Sequence, residues 1–416
     1  HTDPWSFRFG NAPQDSGTTI LVDDAGSAYI SGSFGGAIDL GAGLWKSAHD
    51  ADSFVAKLDS RGKLVWGQHI GAQSFATVAA TALTPQAGLL CSGGFAGAAD
   101  FGGGAVKSQG QQSAFLLLLD ACGHYVWSRQ FGGPDFSVAS ITSIGAQQDG
   151  SAVVAGWFRG SVDLGDGVLL SASTRYESFL AKYDAKGAKV WTRRLGEGAR
   201  NVVVAVDAQD SAYVAGELTG AIDLGAGPLT PLPTPDHRGV FLTKLDPSGA
   251  VLWNLRDVGQ GSSGLVSIRL LPPDAVLLHG NIGDGKVDLG AGVTADYSCC
   301  GADIFLAKVT DAGLPLWLTS FGTVGLQVAV GPQGVVAVST VEARGFTARD
   351  LDDRGAFSSA RDFAAWVLIN VNGLAIDREG SLLLTGNFRD TLDLGQGPLK
   401  TAGFQDADGF VAKLPP

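Results

Sequence analysis

Ser53–Gly71, SFVAKLDSRGKLVWGQHIG, reads as two strands joined by a turn. Phe54, Ala56 and Leu58 alternate along the first strand, Asp59-Ser60-Arg61-Gly62 makes the turn, and Leu64 to Ile70 is a second strand carrying Trp66. The same text returns from Phe115, Phe179, Phe241 and Phe305. Its tryptophans, Trp66, Trp127, Trp191, Trp253 and Trp317, stand 61, 64, 62 and 64 residues apart. A fixed period with strand chemistry in every copy predicts a repeat architecture.

Working outward, each copy carries two more strands ahead of this pair. In the first, Thr18 to Val22 leads through the turn Asp23-Asp24-Ala25-Gly26 into Ser27 to Phe34. GGAIDLGAG, residues 35–43, and a variable loop follow. A repeat is therefore strand, tight turn, strand, long loop, strand, tight turn, strand. Four antiparallel strands in about 45–60 residues is the pattern of a propeller blade. Copies are expected over 18–71, 76–133, 138–196, 200–259, 262–322, 324–363 and 370–416. The last stops at Pro416 without its Trp strand, whereas Trp5-Ser6-Phe7-Arg8-Phe9-Gly10 matches that missing piece. The expectation is one all-β domain over 1–416, a seven-bladed β-propeller closed by Trp5–Gly10 completing the last blade, which removes free sheet edges. The sixth copy is degenerate, with no long loop and no Trp, and Phe357 partly fills the place the Trp would take.

The pattern D-x-x-G-S-A-Y-I-S-G-S-F, I-D-L-G-x-G, S-F-V-A-K-L-D-x-x-G-x-x-x-W resembles the bacterial seven-bladed propeller repeat family called SBBP. The resemblance covers essentially the whole chain. It implies a secreted, envelope-attached or lipid-anchored bacterial protein, and no activity, because no catalytic residues define the family. The D-x-x-G-x-x-x-W piece also resembles the tryptophan-docking repeats of quinone-dependent dehydrogenases, whose cofactor-contacting residues have no counterpart here.

Composition narrows the function classes. With 60 Gly in 416 residues, about twice the usual share, and glycines placed at turns, the chain is turn-rich β structure. A net charge of −12 argues against nucleic acid and against an anionic membrane surface. No apolar run reaches the roughly 20 residues of a membrane helix. The chain lacks Met, and it is read as a mature or trimmed form whose signal has been removed, extracellular or associated with the periplasm or outer membrane, and monomeric. Cys299 and Cys300 are adjacent, which leaves a strained vicinal disulfide open; the spacing of Cys91, Cys122 and this pair does not suggest a zinc site.

The six strand tryptophans, Trp5 included, are expected to pack. Trp45 lies in a long loop and could stack on a sugar or partner, or cover the base of its own loop. Asp39, Asp100, Asp163, Asp223, Asp288 and Asp393 each precede Leu/Phe-Gly-x-Gly, which suits a carboxylate accepting backbone N–H groups across a tight turn. Calcium would need several converging oxygens, and only Asp39, Asp163 and the additional Asp166 are weak candidates. Lys57, Lys182, Lys244, Lys308 and Lys413 are expected to pair with an acid of the adjacent blade or to reach solvent.

For catalysis, His279, Glu217, Glu342, Glu197, Arg200, Asp135, His69 and Asp15 map to the face of the long loops. His279 and Glu217 fall at nearly equivalent places in neighbouring copies, where they could form a general acid–base couple. No G-x-S-x-G elbow, H-E-x-x-H or phosphate loop is present. The favoured reading is non-catalytic binding of a protein or glycan, with Trp45, Glu197, Glu217, His279 and Glu342 as ligand-contact candidates, no resident cofactor, and a notch at the sixth copy contributing to the site. The alternative is a secreted hydrolase or lyase acting on a glycan or peptide.

Overall fold

The computed structural model describes residues 3–12, 15–41, 43–47, 51–171, 174–231, 238–297, 303–321, 326–331, 336–342, 345–352, 354–364, 369–403 and 406–416. Trp366, Cys299 and Cys300 lie outside the described residues, as does the side chain of Glu342.

Among the described residues the chain is all β. It forms six four-stranded antiparallel sheets, one five-stranded sheet and five two-stranded ribbons. The first repeat shows the plan: Ser16–Val22, Ala28–Phe34, Asp52–Leu58 and Leu64–Ile70 follow one another across the sheet, as in a propeller blade. The last sheet breaks chain order as expected. Trp5–Phe9 pairs antiparallel with Ala407–Leu414, Trp5 opposite Lys413 and Phe9 opposite Gly409. Ala407–Leu414 in turn pairs with Leu382–Arg389, and that with Ile369–Ile376. The two ends of the chain therefore share one sheet.

By contact density the chain falls into two compact units. One comprises His1–Gln130, Gly325–Leu351 and Phe357–Pro416, and the other Phe131–Val324 and Asp352–Ala356. Repeats six, seven, one and two belong to the first unit, and repeats three, four and five to the second. Inside the first, Ser16–Val22 packs against Ile369–Ile376 of repeat seven and Phe75–Leu83 of repeat two. Inside the second, Ala199–Val206 packs against Val138–Ala146 on one side and Gly261–Leu271 on the other.

Register follows from one recurring cross-strand pair. Phe54, Phe179, Phe241 and Phe305, all buried, stand opposite Gly32, Gly156, Gly216 and Gly280 of the second strand. A Cβ at Gly280 would sit 2.5 Å from the Phe305 ring, so the ring takes the place a side chain would fill. The apolar neighbours seal successive sheets. Tyr213, Ala215 and Val240 of repeat four cluster with Leu265, Leu278 and Phe305 of repeat five.

Each sheet has two distinct ends. At the turn end, the repeating Trp lies on the third-to-fourth-strand turn of the following repeat. Trp5, Trp66, Trp191 and Trp253 cover Gly62, Gly123, Gly249 and Gly313. Trp5, Trp66 and Trp253 also donate their indole N–H to the carbonyls of Ser60, Ala121 and Asp311 at 3.1, 3.0 and 2.8 Å. The repeating lysines close the same end. Lys57 meets Asp23 at 3.1 Å, Lys244 meets Asp207 at 3.2 Å and Lys413 meets Asp377 at 2.7 Å. These partners add a source that was not expected, while the expected acid of the adjacent blade is present at Lys244. Asp23, Asp207 and Asp377 each come from the lysine's own repeat, because the first turn lies across the sheet beside the third strand. Neighbouring repeats add to this: Lys244 also pairs with Asp311, and Lys182 donates to the Pro247 carbonyl at 2.9 Å.

The other end carries the links from second to third strand. These are not plain loops: Ala37–Asp39 with Leu44–Lys46, and Ser161–Asp163 with Val168–Leu170, form small antiparallel ribbons. In repeat five the equivalent strand, Thr294–Asp296, adds onto the long strand Ala275–Asp288. Repeat six has no ribbon among the described residues; Glu342 pairs with Gly345 across a two-residue link, 343–344, outside the described set.

Candidate functional site

The recurring aspartates are turn caps. Asp39 Oδ1 accepts the N–H groups of Gly41 and Gly43 at 2.7 and 3.2 Å, and Asp163 does the same for Gly165 and Gly167. The glycines take left-handed φ values, which an L side chain adopts at a cost. Asp166 pairs instead with Lys189 and accepts from Thr192 Oγ1 at 3.3 Å. These carboxylates are engaged one by one with local donors.

Trp45 is half-buried. It stacks on His69 with ring centroids 6.2 Å apart, and a Cβ at Gly67 would lie 2.5 Å from its ring. The ribbon thus folds Trp45 down onto its own fourth strand, and of the two readings open for it, covering the loop base is the one the geometry matches. His69 bonds the buried Asp52 at 2.7 Å.

This pair belongs to a series that sequence reasoning missed. Arg194 grips buried Glu177 through two bonds at 2.5 and 2.7 Å, and Arg8 meets buried Asp408 at 2.7 Å. In each, an acid two residues before the repeating Phe pairs with the residue three after the repeating Trp. The constant offset was legible in D-S-F, E-S-F and D-G-F.

Asp15 sits wholly buried in the segment joining Trp5–Phe9 to Ser16–Val22. It accepts from Ala12 N at 2.9 Å and Gly35 N at 2.8 Å. Burial pushes its carboxyl up to about 6 against the lowering effect of those bonds. Its position in the interior sets it apart from an exposed site.

His279 and Glu217 do not form a couple. His279 is buried, with Nδ1 3.3 Å from Ser267 Oγ. Burial, and then the neighbouring Arg269, lower its pKa to about 3, so the imidazole is neutral at physiological pH. His279 lies one residue before Gly280, deep in its strand, whereas Glu217 lies one residue after Gly216, half-buried and nearer the ribbon end, so the two share a face but stand two residues out of step along it.

That position after the glycine is where the polar and aromatic side chains of the ribbon end gather, half-buried at Trp157 and Glu217 and exposed at Asn281. In repeats three, four and five it holds Trp157, Glu217 and Asn281, on three successive sheets of one unit. Glu217 Oε1 accepts from Asn201 Nδ2 at 2.7 Å. Asn201 is exposed and left-handed, with φ 48°, at an irregularity in its strand. Asn281 and Glu217 converge above Gly264: a Cβ there would be 2.3 Å from Asn281 Oδ1 and 3.1 Å from Glu217 Oε1. Arg200, exposed, stands opposite Glu217 in the register.

The aromatic flank is as open. Trp157 meets Tyr176 edge-on at 4.8 Å, and the Arg159 guanidinium lies 5.2 Å from the Tyr176 ring centre. Tyr176 is 51% exposed and Phe136 is 78% exposed. Glu197 lies 3.9 Å from Arg175, beside Tyr176 in the chain. Of the expected contacts, the structure keeps Glu217 and Glu197 at this end, and turns Trp45 and His279 inward. Trp157 and Asn281 were missed because only the register shows that they share the position of Glu217, and Tyr176 and Asn201 because only the fold sets them against Trp157 and Glu217.

No family model matches the chain. Over 103 residues, 24% of its length, the chain is 35% identical to the "Regulatory protein FlaEY" of Caulobacter vibrioides, and the match spans 10% of that protein. Among solved structures, it is similar to the β-propeller domain of the Trilobed protease from Pyrococcus furiosus, at TM-score 0.49 and 8% identity, over 95% of this chain and 98% of that one. It is also similar to a protein of unknown function from Dyadobacter fermentans, at TM-score 0.44 and 11% identity, over 98% of each chain. An ulvan lyase of a polysaccharide lyase family matches at TM-score 0.44 and 13% identity, over 84% of this chain and 78% of that one. Likenesses at this level carry no argument about what the chain binds or does. No helix among the described residues is long and apolar enough to cross a membrane.

Proposed function

We propose that the chain is a non-catalytic binding propeller that holds a glycan at the ribbon end of repeats three to five. In this reading the seven sheets are the blades of one closed ring, completed by Trp5–Phe9. It works outside the bacterial cytoplasm, as the repeat resemblance implies.

The observation that carries the reading is the placing of aromatic and polar side chains at one equivalent position of three successive sheets. Trp157, Tyr176 and Phe136 offer aromatic faces, on which the C–H face of a sugar ring can lie. Glu217, Asn281 and Asn201 offer a carboxylate and two amides, planar groups that donate to and accept from vicinal hydroxyls. Arg200, Arg159 and Arg175 add cations around the site, which favours a glycan bearing carboxylates.

The same geometry supports a role without turnover. General acid–base work needs two titratable groups in reach of one bond. His279 is buried away from Glu217, and Glu217 is bonded to an amide.

The test is a calorimetric titration against neutral and uronic-acid oligosaccharides, with product release followed in parallel. Binding without release is expected, with affinity lowered about tenfold or more by Trp157→Ala and by Glu217→Gln, a loss of about 1.4 kcal/mol or more. Chain cleavage abolished by Glu217→Gln would favour a hydrolase or lyase instead. Binding untouched by both substitutions would reject the site.

A further inference from the structure

One turn differs in chemistry from its repeats. The D-x-x-G-x turn between third and fourth strands reads Asp59-Ser60-Arg61-Gly62-Lys63, Asp184-Ala185-Lys186-Gly187-Ala188 and Asp246-Pro247-Ser248-Gly249-Ala250. In repeat two it reads Asp120-Ala121-Cys122-Gly123-His124. Two metal-binding side chains have entered the same turn, at the second and fourth places after the Asp.

The turn brings all three together. Asp120 Oδ1 accepts the N–H groups of Cys122 and His124 at 2.9 and 2.8 Å, and Asp120 Oδ2 lies 3.3 Å from His124 Nδ1. One carboxylate oxygen, the Cys122 sulfur and a ring nitrogen of His124 lie within 4.8 Å of one another. Around a tetrahedral zinc ion, with bonds of about 2.0–2.3 Å, neighbouring ligand atoms are roughly 3.5 Å apart. Side-chain rotation alone covers the difference.

The backbone beneath is held from the preceding repeat. Trp66 lies over Gly123 and donates to the Ala121 carbonyl at 3.0 Å, while Gln68 Nε2 donates to the Gly123 carbonyl at 2.9 Å. Cys122 and His124 are both exposed, and Cys122 is a free thiol. An ion can therefore reach the turn from solvent without moving the sheet.

We propose that Asp120, Cys122 and His124 form a surface site for a borderline-soft divalent ion, Zn²⁺ in the first place, with a fourth position left to water. The donor set decides the class. A thiolate with an imidazole selects zinc over magnesium or calcium, which take oxygen ligands. On binding, the Cys122 thiol gives its proton to solvent, and His124 binds through an unprotonated ring nitrogen. The spacing of the cysteines alone hid this site, because its partners are a His and an Asp of the same turn.

The test uses the whole chain, stripped with a chelator and titrated with Co²⁺ and then Zn²⁺. One equivalent of Co²⁺ should give a thiolate-to-cobalt charge-transfer band and the visible bands of tetrahedral cobalt, which Zn²⁺ removes. Cys122→Ser should abolish the charge-transfer band, and His124→Ala should weaken binding by about tenfold or more. Both variants should keep the metal-free unfolding transition, which separates lost ligation from lost fold. No band in the wild type, or a band that survives Cys122→Ser, overturns the proposal.

Discussion

Trp66 lies across Gly123 of the next repeat: a Cβ at Gly123 would stand 2.5 Å from its ring. Gly123 also has φ 80°, so a side chain there meets both strain and the indole. Gly123→Ala should cost about 1–3 kcal/mol in chemical denaturation. Gly104→Ala is the control. It shares a left-handed φ, 100°, but has open space around it, and should cost less. Equal losses would show that the indole contact does not hold the repeats together.

Lys413 and Asp377 form a buried pair at 2.7 Å, with Asp377 also accepting from Glu379 N and Ser381 N. Lys413→Met leaves that carboxylate buried beside a methyl group. Removing one partner of such a pair costs about 3–5 kcal/mol. The double variant Lys413→Met with Asp377→Asn should recover part of the loss, and a double-mutant cycle reads the coupling. Simple additivity would contradict the pairing.

Asp15 gives a pH signature with a definite sign. Its folded carboxyl titrates at about 6, above the ordinary aspartate value of 3.8, so between those values the folded chain keeps a proton that the unfolded chain has lost. Its contribution to stability therefore falls as pH rises from about 4 to about 6, and is level beyond. The wild type should lose stability relative to Asp15→Asn across that window in equilibrium unfolding. A difference that stays flat would place Asp15 in a wetter site than the structure gives it.

His279 has the opposite sign. With its folded pKa near 3, its contribution is complete above the unfolded value of 6.5 and is lost as pH falls from 6.5 toward 3. Its ring signals in an NMR titration should stay those of neutral imidazole to below pH 5. A midpoint near 6 would return His279 to the list of acid–base candidates.

The repeat and its strands were legible because the chain writes the same chemistry at a fixed interval. The pairing of Trp5–Phe9 with Ala407–Leu414 followed from matching one fragment at each end. Asp39 and its counterparts were legible too, since Asp-Leu-Gly-x-Gly encodes its own cap. The ribbons were not, because strands of three residues such as Leu44–Lys46 are too short to show a period. His279 misled because it and Glu217 look nearly equivalent in the alignment of copies, whereas the two-residue step between them, on one face of the strand, leads from the buried middle of the sheet to its half-buried ribbon end. The ribbon-end cluster stayed hidden because Trp157, Glu217 and Asn281 differ in type and align only once Gly156, Gly216 and Gly280 fix the register.

The glycan site can be probed where its polar groups meet. Gly264→Ala would place a methyl 2.3 Å from Asn281 Oδ1 and 3.1 Å from Glu217 Oε1. It should displace the amide and lower glycan affinity, with little change in the unfolding midpoint. Unchanged affinity would remove Asn281 from the contact surface.

The most direct measurement is the crystal structure of the chain with a bound uronic-acid oligosaccharide. The account predicts a sugar ring stacked on Trp157 or Tyr176, with hydroxyls bonded to Glu217 and Asn281. Saccharide density at another surface, with these four side chains left in solvent, would contradict it.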